Sequence, residues 1–288
     1  MNVSEVNQLL SASEAIDNYL EISNEVYHAC DAMGHSGLRG LRDSPSKYLW
    51  NKDNRSQKYS KALDLGAMIH MAVLEPELFE KTHAKMPKFD MRTKVGKAGA
   101  ADWEQSNKDR VGVKPNDWEM IEKIYESLHH DPFLSKFVGK GLKEKSFFHK
   151  DEETGVWLKC RPDNFLIEDG VIIDLKTTES ALPWKFNQSI QEYGYDTQAA
   201  FYCDVIGKSI GIETDFIIVA VEKEKDNDVN IFYFDREDRK IASNIYRDWL
   251  TKYAKCKQTN VYPGYERKFI KAIMPEWKKR MYGGVESE

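Results

Sequence analysis

Residues 155–178 read GVWLKCRPDNFLIEDGVIIDLKTT. Two apolar runs, WLKC at 157–160 and VIIDL at 171–175, flank a turn signal at Glu168-Asp169-Gly170, the pattern of a β-hairpin. Three charges interrupt it. Asp163 follows Pro162 at the end of the first half, and Asp174 and Lys176 close the second. Strand side chains alternate between faces, so Asp174 and Lys176 share one face. Leu175 points into the core on the other, with its carbonyl left available.

A charge at a strand end is commonly a solvated edge residue, and a lone D-x-K tripeptide arises by chance. Here Pro162 stops the first strand beside Asp163, so two carboxylates and an ammonium converge at one place. Such hard oxygens suit Mg²⁺, with Mn²⁺ as a substitute. An ion held there neutralises the charge of a phosphodiester, lowers the pKa of a bound water and stabilises the leaving oxygen. The lysine orients the water or stabilises developing charge.

The chain of 288 residues is long enough for a sizeable core, and its 41% apolar and 31% charged residues are ordinary for a soluble enzyme. No apolar run reaches a membrane span. The first twenty residues lack the basic-then-apolar order of a secretion signal. Cys30, Cys160, Cys203 and Cys256 form no CxxC pair, which argues against a zinc or disulfide framework and for a reducing cytoplasm. The net charge of −5 speaks against a nucleic-acid partner, but the charge is uneven. Residues 81–115 hold nine Lys/Arg against four Asp/Glu, and residues 251–282 hold nine against two. Either segment can be a solvated surface or a positive face for phosphate.

Val3, Val6, Leu9, Leu10, Ile16 and Leu20 mark one face of an N-terminal helix. Leu63, Ala67, His70 (or Met71) and Leu74 mark a second, ended by Pro76. Residues 85–115 show no clear periodicity and read as a long, mobile loop, which would place Arg92, Lys94 and Lys97 against a DNA backbone. A helix capped by Asn116 follows and breaks at Pro132. Strands are expected at KSFFHK, GVWLKCRPD and VIIDLKTT, then a helix broken near Gly194, strands at TDFIIVAVEKE and VNIFYFD, and a long helix from Glu237. The order implies an α/β fold, a mixed central sheet flanked by helices, in one domain. Within it, residues 1–21 read as a helical extension, 22–260 as the core and 261–288 as a basic tail.

P-D, ten residues, then D-L-K at the end of an apolar strand resembles the PD-(D/E)xK nuclease superfamily. YGYDTQAAFY at 193–202 looks like the Q-x-x-x-Y motif of its RecB-like branch, through Gln198 and Tyr202. LGAMIHMAVLEP resembles that branch's G-x-x-x-H helix through His70, and HSGLRGLRDSPSKYLW its N-terminal element through Ser36, Leu38, Leu41, Ser44, Pro45 and Tyr48. The set, from about residue 22 to 250, is similar to the exonuclease VIII (RecE) type and its phage relatives. The resemblance implies a restriction-endonuclease-like core and a Mg²⁺-dependent exonuclease that degrades one strand of duplex DNA ends 5′→3′, leaving a 3′ overhang. It implies metal ligation by Asp163, Asp174, the Leu175 carbonyl, His70 and Glu144. It gives Lys176 to the water, and Gln198 and Tyr202 to support of the lysine and contact with substrate. It sets Arg39, Arg42, Ser44 and Tyr195 at the DNA. A ring-shaped homo-oligomer and a phage-type single-strand annealing protein as partner are implied too. Some relatives carry an iron–sulfur cluster, but Ser44 stands where the first cysteine would be, so no cluster is expected. An endonuclease of the same superfamily and a nuclease-derived binding module are the alternatives.

Overall fold

The computed structural model describes residues 1–12, 15–16, 18–54, 61–223 and 227–282, with residues 61–64 by backbone alone. The chain opens with α1 (Val3–Ala12), the two-residue strand β1 (Tyr19–Leu20) and the short helices α2 (Asn24–Ala29), α3 (His35–Gly40) and α4 (Pro45–Asp53). Next come α5 (Lys61–Leu74), α6 (Pro76–Thr82), β2 (His83–Lys85), α7 (Lys94–Ser106), β3 (Val111–Val113), α8 (Pro115–His129) and α9 (Ser135–Val138). The strand region is β4 (Ser146–Lys150), β5 (Trp157–Cys160), β6 (Asn164–Leu166) and β7 (Val171–Thr178). Helices α10 (Pro183–Tyr193) and α11 (Tyr195–Ile210), strands β8 (Asp215–Glu222) and β9 (Val229–Tyr233), and helices α12 (Arg236–Thr259) and α13 (Glu276–Tyr282) complete it.

The central sheet has the order β6-β7-β8-β9. β6 and β9 run antiparallel to their neighbours, while β7 and β8 are parallel, from Val171↔Asp215 to Thr178↔Glu222. A parallel pair needs a crossover, and α10 and α11 supply it. The two faces of β7 enter different cores. Ile172 packs with α3, α10, α11 and α12 around Phe186, Phe201, Phe216 and Tyr246. Ile173 and Leu175 pack with α5 and α8 around Ile69, Val73, Ile121 and Ile124. Helices thus cover both sides of a mixed sheet, the α/β architecture expected.

The hairpin expectation is corrected. β5 does not pair with β7: it joins a separate sheet of order β1-β4-β5, with Phe147 opposite Cys160. The hairpin partner of β7 is β6, with Asn164 opposite Ile173. Pro162 separates the two strands, so the chain changes sheet at Asp163. α1 packs over the smaller sheet through Val6 and Leu10, and the Trp157 indole donates to the Leu10 carbonyl at 2.7 Å.

Residues 85–115 also depart from expectation. They form α7, capped by Thr93 accepting from the Gly96 N–H, between the parallel strands β2 and β3. Asn116 does not cap α8; Lys114 precedes it and Pro115 takes the first helical position, where a missing N–H costs nothing. The break near Gly194 is as expected: Gly194 ends α10 at φ 70° and starts α11. Leu63 lies in α5 as expected, but its side chain and the last six residues of the tail lie outside the described residues. No described helix is long and apolar enough to cross a membrane.

Candidate active site

β6 covers one edge of β7 only as far as Ile173. Beyond it the edge is bare, and Asp163, one residue before β6, fills the gap with its side chain. Asp163 Oδ2 accepts the Leu175 N–H at 2.6 Å. A strand residue's N–H and C=O point to the same edge, so the Leu175 carbonyl faces this opening as well. The Leu175 side chain is fully buried on the opposite face, as the alternation required.

Asp174 is almost completely buried. Its Oδ1 accepts from the Gln198 side-chain amide at 2.8 Å, and its Oδ2 lies 2.5 Å from Lys176 Nζ. That approach is an ion pair without a well-angled hydrogen bond, and Oδ2 remains a buried acceptor with unused capacity. Lys176 also sits 5.0 Å over the Tyr195 ring. Burial works against its charge, but Asp174 and then Asp163 outweigh it and raise its pKa, so the ammonium is a donor at neutral pH. Burial raises the pKa of Asp174, whereas that of Asp163 is lowered: burial opposes the charge, and His70, Lys176 and the Leu175 N–H overcome it.

His70 arrives on α5, with its Nδ1 3.4 Å from Asp163 Oδ2. Burial alone would discharge the imidazole, but Asp163 raises its pKa. Gly66, one turn earlier, brings α5 close to β7; a Cβ there would stand 3.5 Å from Thr177 Oγ1. Gly66 of the G-x-x-x-H spacing thus faces β7, and His70 faces Asp163. Replacing His70 with Gln is expected to raise the metal concentration for half-maximal activity about 10–100-fold, as loss of a metal ligand's support does. Melting in chelator should change little. A large drop in melting temperature with unchanged metal dependence would make His70 a packing residue.

Glu144 lies in the same cavity of about 1110 Å³, with His70, Glu75, Arg161, Lys176 and Tyr195. Its φ of 53° is in the left-handed region, costly by about 1 kcal/mol or more for a residue with a Cβ. Burial, and then Asp163, push its pKa up to about 7. Between the ordinary carboxylate range and that value the folded state keeps a proton that the unfolded chain has released, so stability falls as pH rises through this window. Glu144→Gln is therefore expected to melt higher than the parent in chelator at pH 8, with the gain vanishing near pH 4. Equal melting at pH 8 would remove Glu144 from this electrostatic cluster. Glu75 escaped sequence reasoning; its place just before Pro76, at the end of the His70 helix, is the signal that could have found it.

Other candidate residues divide. Gln198 supports the lysine only through Asp174. Tyr202 packs edge-on against Phe216 and lines a second cavity, of about 620 Å³, with Gln198 and Tyr48. That cavity does not contain Lys176. Ser44 is buried as the N-cap of α4, accepting from the Lys47 N–H. Arg39 donates to the Glu192 carbonyl, and Arg42 stands 3.5 Å from Asp43. Arg92 is paired with Asp90 at 3.0 Å, and Lys94 and Lys97 begin α7.

Among the described residues no three His, Cys, Asp or Glu side chains converge into a ready-made metal cage. The donor set nevertheless fits a hard divalent ion: carboxylate oxygens of Asp163 and Asp174, one with unused capacity, the edge carbonyl of Leu175 and the imidazole of His70.

A mixed sheet whose bare strand edge gathers P-D, D-x-K, a helical histidine and a helical glutamine is that of a PD-(D/E)xK nuclease domain. The chain belongs to the family of PDDEXK-like domains of unknown function (DUF3799), whose pattern matches residues 34–269. Its fold is similar to that of a crystal structure named "Putative exonuclease" from Eubacterium rectale, with a TM-score of 0.60 and 17% identity over 92% of this chain and 100% of that one. A second solved structure, SSO0001, is matched at a TM-score of 0.39 and 10% identity over 87% of this chain and 84% of that one. No curated protein matches the chain.

Proposed function

We propose that the protein is a Mg²⁺-dependent exodeoxyribonuclease that hydrolyses duplex DNA from its ends, 5′→3′, leaving a 3′ single-stranded overhang. The observation that carries the hydrolytic part is the cluster on the bare edge of β7, where Asp163, Asp174 and the Leu175 carbonyl stand beside a charged Lys176. A divalent ion bound there supplies charge neutralisation and an acidified water. The chain's own residues do the rest. Asp163 is fixed by the Leu175 N–H and Asp174 by Gln198, so neither carboxylate has to reorganise during the reaction. The Lys176 ammonium, steadied by Asp174 and the Tyr195 ring, donates to the attacking water or to the developing phosphorane charge.

The end preference, polarity and overhang rest on the motif resemblance, as do a ring-shaped oligomer, a phage-type annealing protein as partner and a cytoplasmic setting. Incubation with Mg²⁺ and either linear or covalently closed circular duplex tests the reading. Loss of linear DNA alone supports an exonuclease. Cutting of both forms means an endonuclease, and cutting of neither means a binding module. End-labelled linear duplex then reports polarity, with the 5′ label expected to leave first.

A further inference from the structure

Beyond α12 the chain crosses residues 261–275 without helix or strand and ends its described part in α13, a helix with no buried residue. Phe269, Ile270, Ile273, Trp277 and Tyr282 all stand mostly in solvent. A protein of this size rarely leaves so many large apolar side chains on one segment without a use. The same segment is basic. Residues 261–282 hold six Lys/Arg against two Asp/Glu in a chain whose net charge is −5. Lys268 and Lys279 pair with Glu266 and Glu276, whereas Arg267, Lys271, Lys278 and Arg280 form no ion pair among the described residues.

The segment is tethered at a defined place. The Ser46 N–H donates to the Pro263 carbonyl at 3.1 Å, Lys47 donates to the Tyr265 hydroxyl at 2.7 Å, and Tyr48 stacks on Tyr262. All three anchors belong to the first turn of α4. Tyr48 also lines the cavity that contains Gln198, the residue holding Asp174. The arm therefore leaves the body at the rim of a cavity whose wall includes Gln198, one hydrogen bond from Asp174.

We propose that residues 265–282 are a single-stranded DNA-binding arm, with Arg267, Lys271, Lys278 and Arg280 on phosphates and Phe269 and Trp277 stacked on bases. Aromatic rings interleaved with cations along an unpaired backbone are what sequence-tolerant binding of single strands uses. A membrane-surface helix instead separates its charged and apolar faces. At 100° per residue, Trp277 and Tyr282 of α13 lie about 140° apart with Lys278 between them, so the two rings do not share one apolar face. The role deepens the exonuclease reading and rests on it: an enzyme that removes one strand leaves the other single-stranded beside this arm.

The test uses the full chain, an oligothymidine probe and chelator, so that binding is read without cleavage and a failed nuclease assay stays separate from a failed arm. Oligothymidine is expected to change the tryptophan fluorescence, and Trp277→Phe should abolish most of that change. Phe269→Ala with Trp277→Ala should weaken binding about tenfold or more. Replacing Arg267, Lys271, Lys278 and Arg280 with Ala should flatten the slope of log affinity against log salt by roughly 0.7 for each phosphate no longer neutralised, with unchanged melting. Unaltered affinity and slope in both variants overturn the proposal. So does tighter arm-dependent binding to phosphatidylserine vesicles than to the oligonucleotide, or an arm-dependent change in oligomeric state without a change in DNA binding.

Discussion

Asp174→Asn and Asp163→Asn are each expected to remove nearly all cleavage of linear duplex while the far-ultraviolet circular dichroism stays that of the parent. Metal-derived charge stabilisation is worth several kcal/mol in the transition state; a loss of about 4 kcal/mol is roughly 10³-fold in rate. The substitutions keep side-chain volume, so the core around β7 has no cavity to refill. They differ in what they leave behind. Asn at 174 can still take the Gln198 amide on its oxygen but strips Lys176 of its nearest counter-charge. Asn at 163 can still accept the Leu175 N–H but gives His70 no anion. Single-turnover cleavage at saturating protein measures the chemical step directly, and parental rates in either variant would sink the assignment of these carboxylates.

Gly141→Ala should destabilise the protein strongly through one added methyl group. Gly141 has φ 121°, and a Cβ there would stand 2.2 Å from Asn164 Oδ1. Asn164 cannot retreat: it is fully buried, and its amide donates to the carbonyls of Phe137 and Lys140 at 2.8 and 2.6 Å. Backbone strain and overpacking each cost roughly 1–3 kcal/mol, so about 4 kcal/mol together. At about 2–4 °C per kcal/mol for a chain of this size class, the melting temperature should fall by roughly 8–16 °C. Asn164 is bonded directly to Asp163, and Leu142 and Phe165 exchange backbone hydrogen bonds at 2.9 and 3.1 Å. Activity below the melting transition should fall too, because the first carboxylate rides on the displaced segment. A variant that melts within about 2 °C of the parent would show that this turn can relax.

How far the sequence revealed this arrangement depends on how local each signal was. Asp174 and Lys176 were legible because a strand's alternation is a property of neighbouring residues. The strand that pairs with β7 was not, because WLKC and NFL are both apolar and only the change of sheet at Pro162 selects the shorter one. α7 was missed since KVGKAGAADWEQS has two glycines and buries Ala100 alone. Its Thr93 cap was the readable sign. His70 meets Asp163 across most of a hundred residues, so periodicity gave a helix, and the motif set, not the spacing, supplied its partner. The rim residues Ser44 and Arg39 carried the correct element but not its use: a hydroxyl already committed to a helix cap looks the same in sequence as one offered to phosphate.

The long separation between positions 70 and 163, set against the short one between 163 and 174, has a kinetic side. Closing a loop about eight times longer costs about 2 kcal/mol more entropy, by the logarithmic dependence on length. The carboxylates, lysine and glutamine all come from the contiguous run 163–198, whereas α5 must be recruited from afar. Native-state hydrogen exchange should therefore find the amides of β7 and β8 in the most slowly opening unit and those of α5 in a separate, less protected one. In such an opening the site would lose its imidazole while keeping its carboxylate pair, so under the proposed function it would bind metal more weakly for a time without global unfolding.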